Sequence, residues 1–182
     1  MKKIWILCTL LGLIMFISGP FRGLYSQTSR YEGKTVKKIQ FTGLKNVDEL
    51  DLLDVIVTEE GYPLRAKEVR KDIQSVFREG QFENVVVEVD EYRDGVAVRF
   101  KCKERPIIKD IVFLGTEEVN EMELTNLLLV KENDALRRDL IEKSVKLIRK
   151  KYDDEGFFNA VVKYDVNEIP RDPNSVKLTF RV

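Results

Sequence analysis

Residues 69–103, VRKDIQSVFREGQFENVVVEVDEYRDGVAVRFKCK, carry the pattern that decides the fold. Up to Gly80 the apolar residues recur at the three- and four-residue spacing of a helix. These are Val69, Ile73, Val76 and Phe77. After Gly80 and Phe82, apolar and polar residues alternate with the period of a strand, and Arg93-Asp94-Gly95 predicts a tight turn before a second alternating run. The stretch therefore predicts a helix that lies on a β-hairpin.

Each strand of this hairpin has one apolar face. The predicted inward residues are Val85, Val87 and Val89 on the first strand, and Val96, Val98, Phe100 and Cys102 on the second. The residues between the inward positions of the second strand are Ala97, Arg99, Lys101 and Lys103, so three of these four outward positions are basic. This pattern is typical of a sheet with one buried and one solvated face.

A strand and a helix precede this unit. Val36 to Phe41 is predicted as a short strand that ends at Gly43. Val47 to Ile56 is predicted as a helix, and Glu60 to Pro63 breaks the chain before the next helix. The predicted inward residues of the first helix are Val47, Leu50 and Leu53, and the outward ones are Asp48, Glu49, Asp51 and Asp54.

The whole pattern is then repeated. Ile39, Phe41 and Gly43 recur as Ile111, Phe113 and Gly115 at an offset of 72 residues. The second copy predicts a strand at Ile107 to Phe113, a helix at Val119 to Leu129 with Met122, Leu124 and Leu127 partly inward, and a long helix at Leu136 to Glu155. Gly156 ends that helix as Gly80 ends the first, and both glycines are expected to take a positive φ. Ile169 to Ser175 is expected to form a longer hairpin loop than its counterpart.

We therefore predict an α+β fold of two consecutive βααββ modules, each a three-stranded mixed sheet with two helices on one face, after an N-terminal signal segment. The expected boundaries are 1–26 for the signal peptide, 27–34 for a linker, 35–105 for module 1 and 106–182 for module 2. Module 1 closes on Glu104-Arg105-Pro106, whereas the sequence ends at Val182 before the matching residues, so we expect module 2 to be truncated at its C-terminus.

The N-terminus has the order of a secretory signal. Met1-Lys2-Lys3 is basic, and Ile4 to Ile17 is a mostly apolar run without charges. A membrane-spanning helix needs roughly 20 apolar residues, so this run favours a cleaved signal over an N-terminal anchor.

Composition argues against several kinds of activity. The chain has 31 basic and 31 acidic residues, which speaks against nucleic-acid binding through a cationic face. It has no histidine, the commonest general base and metal ligand. Asp48, Asp51 and Asp54 are interpreted as the solvated face of a helix rather than as metal ligands, and Cys102 as a small apolar core residue. We expect no enzymatic activity, no metal and no cofactor.

The order of these motifs resembles the POTRA module. The resemblance rests on Gly43 and Gly115 after the first strands, on Gly80-Gln81-Phe82 and Gly156-Phe157-Phe158 after the long helices, and on Glu104-Arg105-Pro106. Tandem POTRA modules behind a signal resemble the periplasmic part of the BamA family of outer-membrane assembly factors, which carry a C-terminal membrane barrel. The resemblance implies a scaffold at the periplasmic face of the outer membrane, with unfolded outer-membrane protein segments and accessory assembly proteins as partners. The missing barrel would supply the contact with the membrane.

Two alternatives remain open at this point. One is an N-terminally anchored cell-envelope or division protein, similar to FtsQ, that uses such modules for protein–protein contacts. The other is a secreted enzyme whose catalytic part lies beyond Val182.

The predicted architecture itself suggests where partners bind. A three-stranded sheet has two edges with unpaired N–H and C=O groups, to which an extended peptide can add as a further strand. The first strand of each hairpin is the predicted binding edge, and its second strand is predicted to lie centrally. The candidate residues are Asn84, Val85, Val86, Val87, Glu88 and Val89 in module 1, and Ala160, Val161, Val162, Lys163, Tyr164, Asp165 and Val166 in module 2. Either Val86 or Glu88 is expected to direct its N–H outward.

Overall fold

The computed structural model describes residues 29–182, so the expected signal peptide lies outside the described residues. Module 1 consists of β1 (Val36–Thr42), α1 (Glu49–Val55), α2 (Ala66–Arg78), β2 (Phe82–Tyr92) and β3 (Gly95–Glu104). Module 2 consists of β4 (Ile107–Leu114), α3 (Glu121–Leu127), α4 (Arg138–Asp154), β5 (Lys163–Ile169) and β6 (Asp172–Arg181). The predicted order of strands and helices is confirmed in both copies.

Each module contains one mixed sheet. The strand orders are β1-β3-β2 and β4-β6-β5. In both sheets the central strand runs parallel to the first strand and antiparallel to its hairpin partner. The predicted fold class and the central position of the last strand of each module are therefore confirmed.

An aromatic pair anchors the core of each module on its central strand. Phe100 on β3 is fully buried and stacks on Phe41 of β1 with ring centroids 4.7 Å apart. Phe180 on β6 stacks on Phe113 of β4 at 5.5 Å in the same manner. Because these strands are neighbours only in space, the stacked rings connect the two ends of each module's chain.

The predicted faces of the short helices need correction. Leu52 is 1% exposed and is the residue of α1 that enters the core, whereas Leu50 is 67% exposed and Leu53 is exposed as well. In α3 the buried residue is Leu124, and Met122 is 72% exposed. In α1 the predicted phase starts at Val47, which precedes the helix and is not yet in helical backbone. Phe77, in the last turn of α2, is also exposed, although it shares the helical spacing of Val69, Ile73 and Val76.

The hairpin of module 2 also differs from the prediction. Ile169 pairs with Asp172, so only Pro170 and Arg171 form the turn, as Arg93 and Asp94 do in module 1. The next pair joins Glu168 to Val176. The three intervening residues, 173–175, therefore form a bulge within β6 rather than a longer loop.

A buried polar side chain on the long helix of each module holds the segment after the short helix. In module 1 the carboxylate of Asp72 accepts hydrogen bonds from the N–H of Val57 (2.6 Å), the N–H of Thr58 (3.1 Å) and the hydroxyl of Thr58. In module 2 the hydroxyl of Ser144, 72 residues later, accepts the N–H of Leu129 at 2.8 Å. The sequence analysis missed both residues, because a single polar residue in an amphipathic helix looks like part of the solvated face.

Gly80 and Gly156 end the long helices with φ of +78° and +94°, as expected. A Cβ at Gly80 would meet only the Arg137 side chain, at 3.5 Å, and one at Gly156 would meet nothing within 4 Å. Gly80→Val and Gly156→Val should therefore each cost about 1 kcal/mol or more through backbone strain alone. Urea unfolding followed by NMR should show the loss in the mutated module only, and Gly80→Asn should cost less. Wild-type stability of both valine variants would contradict this prediction.

Phe100→Ala or Phe180→Ala should destabilise its module by about 3–5 kcal/mol, because each removes a fully buried ring and leaves a cavity. The matched control is Phe158→Ala, since the Phe158 side chain is 75% exposed. Urea unfolding of the three variants provides the measurement. A fully stable Phe100→Ala protein would show that this face of the sheet is not the core.

Candidate partner-binding edges

The structure leaves two outer strands in each sheet. β2 and β5 form one pair of edges, and β1 and β4 form the other. β2 is the longest of these strands, with 11 residues, and alternates buried and exposed side chains as predicted. Its edge therefore presents the longest row of main-chain groups.

The direction of the N–H groups of β2 follows from the hydrogen bonds of β3. The N–H of Val96 donates to the carbonyl oxygen of Thr35 at 2.9 Å, so Val96 faces the β1 side of the sheet. Main-chain groups alternate along a strand, so Arg99 and Lys101 face β2. Their partners on β2 are Glu88 and Val86.

Val86 and Glu88 therefore both direct their N–H groups into the hairpin, and the expectation that one of them faces outward is wrong. The outward groups belong to Val85, Val87 and Val89. Residues two apart always face the same side, so the relevant choice is between odd and even positions. The two-residue turn was the sequence signal that could have settled it, because the residues flanking such a turn bond to each other.

The same analysis applies to β5. The N–H of Val182 donates to the carbonyl oxygen of Leu114 at 3.0 Å, so Val182 faces β4. By alternation, Lys163 and Asp165 bond to β6, and Tyr164 and Val166 direct their main-chain groups outward. The candidate residues Ala160, Val161 and Val162 precede β5 instead of forming part of it. Binding at either edge stays a prediction.

Ion pairs cover the solvated face beside the β2 edge. Glu88 lies 2.7 Å from Lys101 and 3.6 Å from Arg99, and Asp90 lies 3.2 Å from Arg99. These exposed pairs add little to the free energy of unfolding. Because the pairs balance the charge along the hairpin, they give this edge no strong charge preference. The edge therefore offers a partner chiefly its main-chain groups.

The β1 edge is different, because glutamates from module 1 occupy it. The N–H of Ile39 donates to Glu60 Oε1 at 2.7 Å, and the N–H of Phe41 donates to Glu49 Oε1 at 3.2 Å. Both N–H groups point away from β3. The sequence analysis missed this role and placed Glu49 simply on the outward face of its helix.

Glu104, of the closing Glu-x-Pro motif, holds the loop between β1 and α1. Its carboxylate accepts the N–H groups of Lys45 (2.7 Å), Asn46 (3.1 Å) and Val47 (3.1 Å), and the side-chain amide of Asn46 (3.1 Å). The carboxylate thus joins the end of β3 to the segment that follows β1. This gives the motif a physical reason that its sequence pattern alone did not provide.

Glu104→Ala should destabilise module 1 by about 1–3 kcal/mol, because it leaves partly buried N–H groups without an acceptor. Glu83→Ala is the matched control on the same hairpin, since Glu83 makes an exposed ion pair with Lys103 at 2.8 Å. Urea unfolding should show little change for the control. Equal stability of the Glu104 variant and wild type would mean that solvent replaces the carboxylate without cost.

The remaining chemistry of the described residues is limited. Burial, and then the nearby Glu104, raise the pKa of the Cys102 thiol to about 11, so it stays protonated at neutral pH. Residues 29–182 contain no group of three or more side chains suited to hold a metal ion. Within the same residues no helix is long and apolar enough to cross a membrane.

Comparison with known families gives a tandem match. The model of the family described as "POTRA: Surface antigen variable number repeat" matches residues 34–105 and again 106–182. The two matches together cover most of the chain.

The curated relatives are much longer proteins. The chain is 25% identical over 134 residues to the outer membrane protein assembly factor BamA of Nitratidesulfovibrio vulgaris, which covers 74% of this chain and 17% of that protein. It is 35% identical over 80 residues to the BamA of Buchnera aphidicola, covering 44% of this chain and 12% of that protein. The chain thus spans less than a fifth of the length of these relatives.

Among solved structures, the chain is similar to the N-terminal domain of Omp85 from Thermosynechococcus elongatus. The TM-score is 0.54 at 17% identity, with 80% of this chain and 61% of that chain covered. At this identity the likeness concerns the fold alone.

Proposed function

Because the chain belongs to the POTRA family, we propose that it is a periplasmic scaffold that binds unfolded outer-membrane protein segments and accessory proteins during outer-membrane protein assembly and insertion. The names of the curated relatives support this role over that of an anchored division protein. The scaffold acts by binding and carries out no chemical step. Residues 1–26 are its export signal, and 35–105 and 106–182 are its two modules.

The observation that carries this proposal is the outward row of main-chain groups on β2. Val85, Val87 and Val89 present N–H and C=O groups at the edge. No hydrogen bond to these outward groups is formed within residues 29–182. Such groups pair with any extended backbone, whatever its side chains. This property suits a scaffold that receives many different unfolded proteins.

The side chains of the same residues limit the sequence specificity of this edge. Val85, Val87 and Val89 point into the core and are buried, so they are not available to a partner. The main-chain groups are therefore the principal contact for a client, and the charged face of the hairpin is a secondary contact. Recognition at β2 should depend weakly on client sequence and strongly on an extended conformation.

Val87→Pro should weaken peptide binding at this edge by tenfold or more, because proline removes an outward N–H and leaves the hairpin ladder intact. The measurement is a titration of the ¹⁵N-labelled protein with a ten-residue peptide of alternating Val and Thr, followed by amide shifts. Val87→Ala is the control for the lost side chain and should bind as wild type does.

Val86→Pro is the second control, because its N–H belongs to the ladder and its loss should destabilise the hairpin. Circular dichroism and thermal unfolding check that each variant folds. Undiminished binding by a folded Val87→Pro protein, or shifts confined to α1 and α2, would rule out strand addition at β2.

A further inference from the structure

The two modules differ at the outer edge of their first strands. In module 1 the carboxylates of Glu60 and Glu49 accept the outward N–H groups of Ile39 and Phe41. These residues correspond to Glu132, Glu121, Ile111 and Phe113 of module 2 at the offset of 72. The backbone of the two edges is the same, so the side chains decide whether each edge is free.

In module 2 the corresponding glutamates leave the strand uncapped. The Glu121 carboxylate accepts the hydroxyl of Thr116 at 3.3 Å, and Glu132 makes no hydrogen bond or ion pair within residues 29–182. The carbonyl of Leu114 faces β6, so by alternation Phe113 and Ile111 face outward. Neither N–H has an acceptor among the described residues.

An open groove lies beside this free edge. Its volume is about 720 Å³, and it runs between β4 and the segment that follows α3. Its apolar lining residues are Ile111, Phe113, Leu128 and Val130. Glu121, Glu132 and Lys131 also line it, so the groove carries a net negative charge.

We propose that the β4 edge and this groove bind an extended protein segment with apolar side chains at alternate positions and a basic residue, and that Glu49 and Glu60 close the equivalent β1 edge. This proposal rests on the strand addition of the proposed function and assigns it a second edge with a side-chain preference. Three features of the groove define the segment: its free main-chain groups, its apolar lining and its charge.

The repeat distances support an extended occupant. Ile111 and Phe113 lie two residues apart, and successive outward groups on an extended peptide recur at the same two-residue interval of about 6.6 Å. Alternate side chains of that peptide then face the groove, whose lining is apolar. A carboxylate at the groove favours Lys or Arg in the segment over Glu or Asp.

Closure of the β1 edge has a direct physical cause. A peptide that adds to β1 must displace two carboxylates from the N–H groups of Ile39 and Phe41 before it forms its own hydrogen bonds. These are charge-assisted bonds, which are stronger than those between neutral groups. Replacing these carboxylate hydrogen bonds by peptide hydrogen bonds therefore contributes little to the free energy of binding at β1. At β4 the peptide pairs with N–H groups that are already free.

The test uses the ¹⁵N-labelled protein and two eight-residue peptides of alternating Val and Thr, one with Lys and one with Glu at both ends. The Lys-ended peptide should shift the amides of Ile111 and Phe113 and leave those of Ile39 and Phe41 unchanged. The Glu-ended peptide should bind at least fivefold more weakly at β4. Equal shifts at both edges, or equal binding of the two peptides at β4, would overturn the proposal.

Removal of the two glutamates that accept the outward N–H groups of β1 should create peptide binding at that edge. The double variant Glu49→Ala with Glu60→Ala should acquire peptide-dependent shifts at Ile39 and Phe41. The matched variant Glu121→Ala with Glu132→Ala should keep its shifts at β4 and lose the preference for Lys ends. An unchanged β1 edge in the uncapped protein would contradict the closing role of the glutamates.

Ile111→Pro removes one outward N–H and should weaken binding at β4 by tenfold or more, with Ile111→Ala as its side-chain control. If the proline variant does not fold, the uncapped double variant still decides the question. Peptide shifts limited to β2 and β5 would leave the proposed function standing and remove this inference. No shift at any edge with either peptide would remove both.

Discussion

The insertion of the last strand of each module between the first two is the constraint on which the rest depends. β3 pairs in parallel with β1 and antiparallel with β2, and β6 does the same in module 2. A parallel pair needs a long crossover connection, which here contains both helices and the second strand. The helices therefore cover one face of the sheet, and the first and second strands become its edges. The stacking of Phe41 on Phe100 stabilises this long-range pairing from the core side.

Most of the fold could be predicted from the sequence because its signals are local and repeated. The alternation from Val85 to Val89 and the helical spacing of Val69, Ile73 and Val76 each extend over more than one period, and the structure confirms both. The glycines at 80 and 156 require a left-handed backbone that few other residues adopt. The same order of strands and helices recurs in the second copy, so each element predicted in module 1 has a counterpart in module 2.

The features that the sequence did not predict depend on interactions beyond one element. The exposure of Leu50 and Leu53 could not be predicted, because a seven-residue helix offers too few turns for the apolar pattern to fix its phase. Asp72 is buried because a loop distant in sequence supplies its donors. The outward direction of Val87, rather than Val86, follows from the hydrogen-bond parity of the whole ladder. Of the candidate edges, therefore, the sequence predicted the location of β2 but not the direction of its groups, and the start of β5 only to within three residues.

The comparison of the two modules shows how a duplicated scaffold can diverge without changing its fold. Asp72 and Ser144 hold equivalent loops with different side chains, and the strand pairing is the same in both. Strand addition uses main-chain groups, which substitution cannot remove except by proline. A neighbouring side chain can nevertheless accept those N–H groups, as Glu49 and Glu60 do at β1. Under the proposed strand addition, the residues beside each strand would decide which edge of this chain is open, and they differ between the two modules while the strand pairing stays the same.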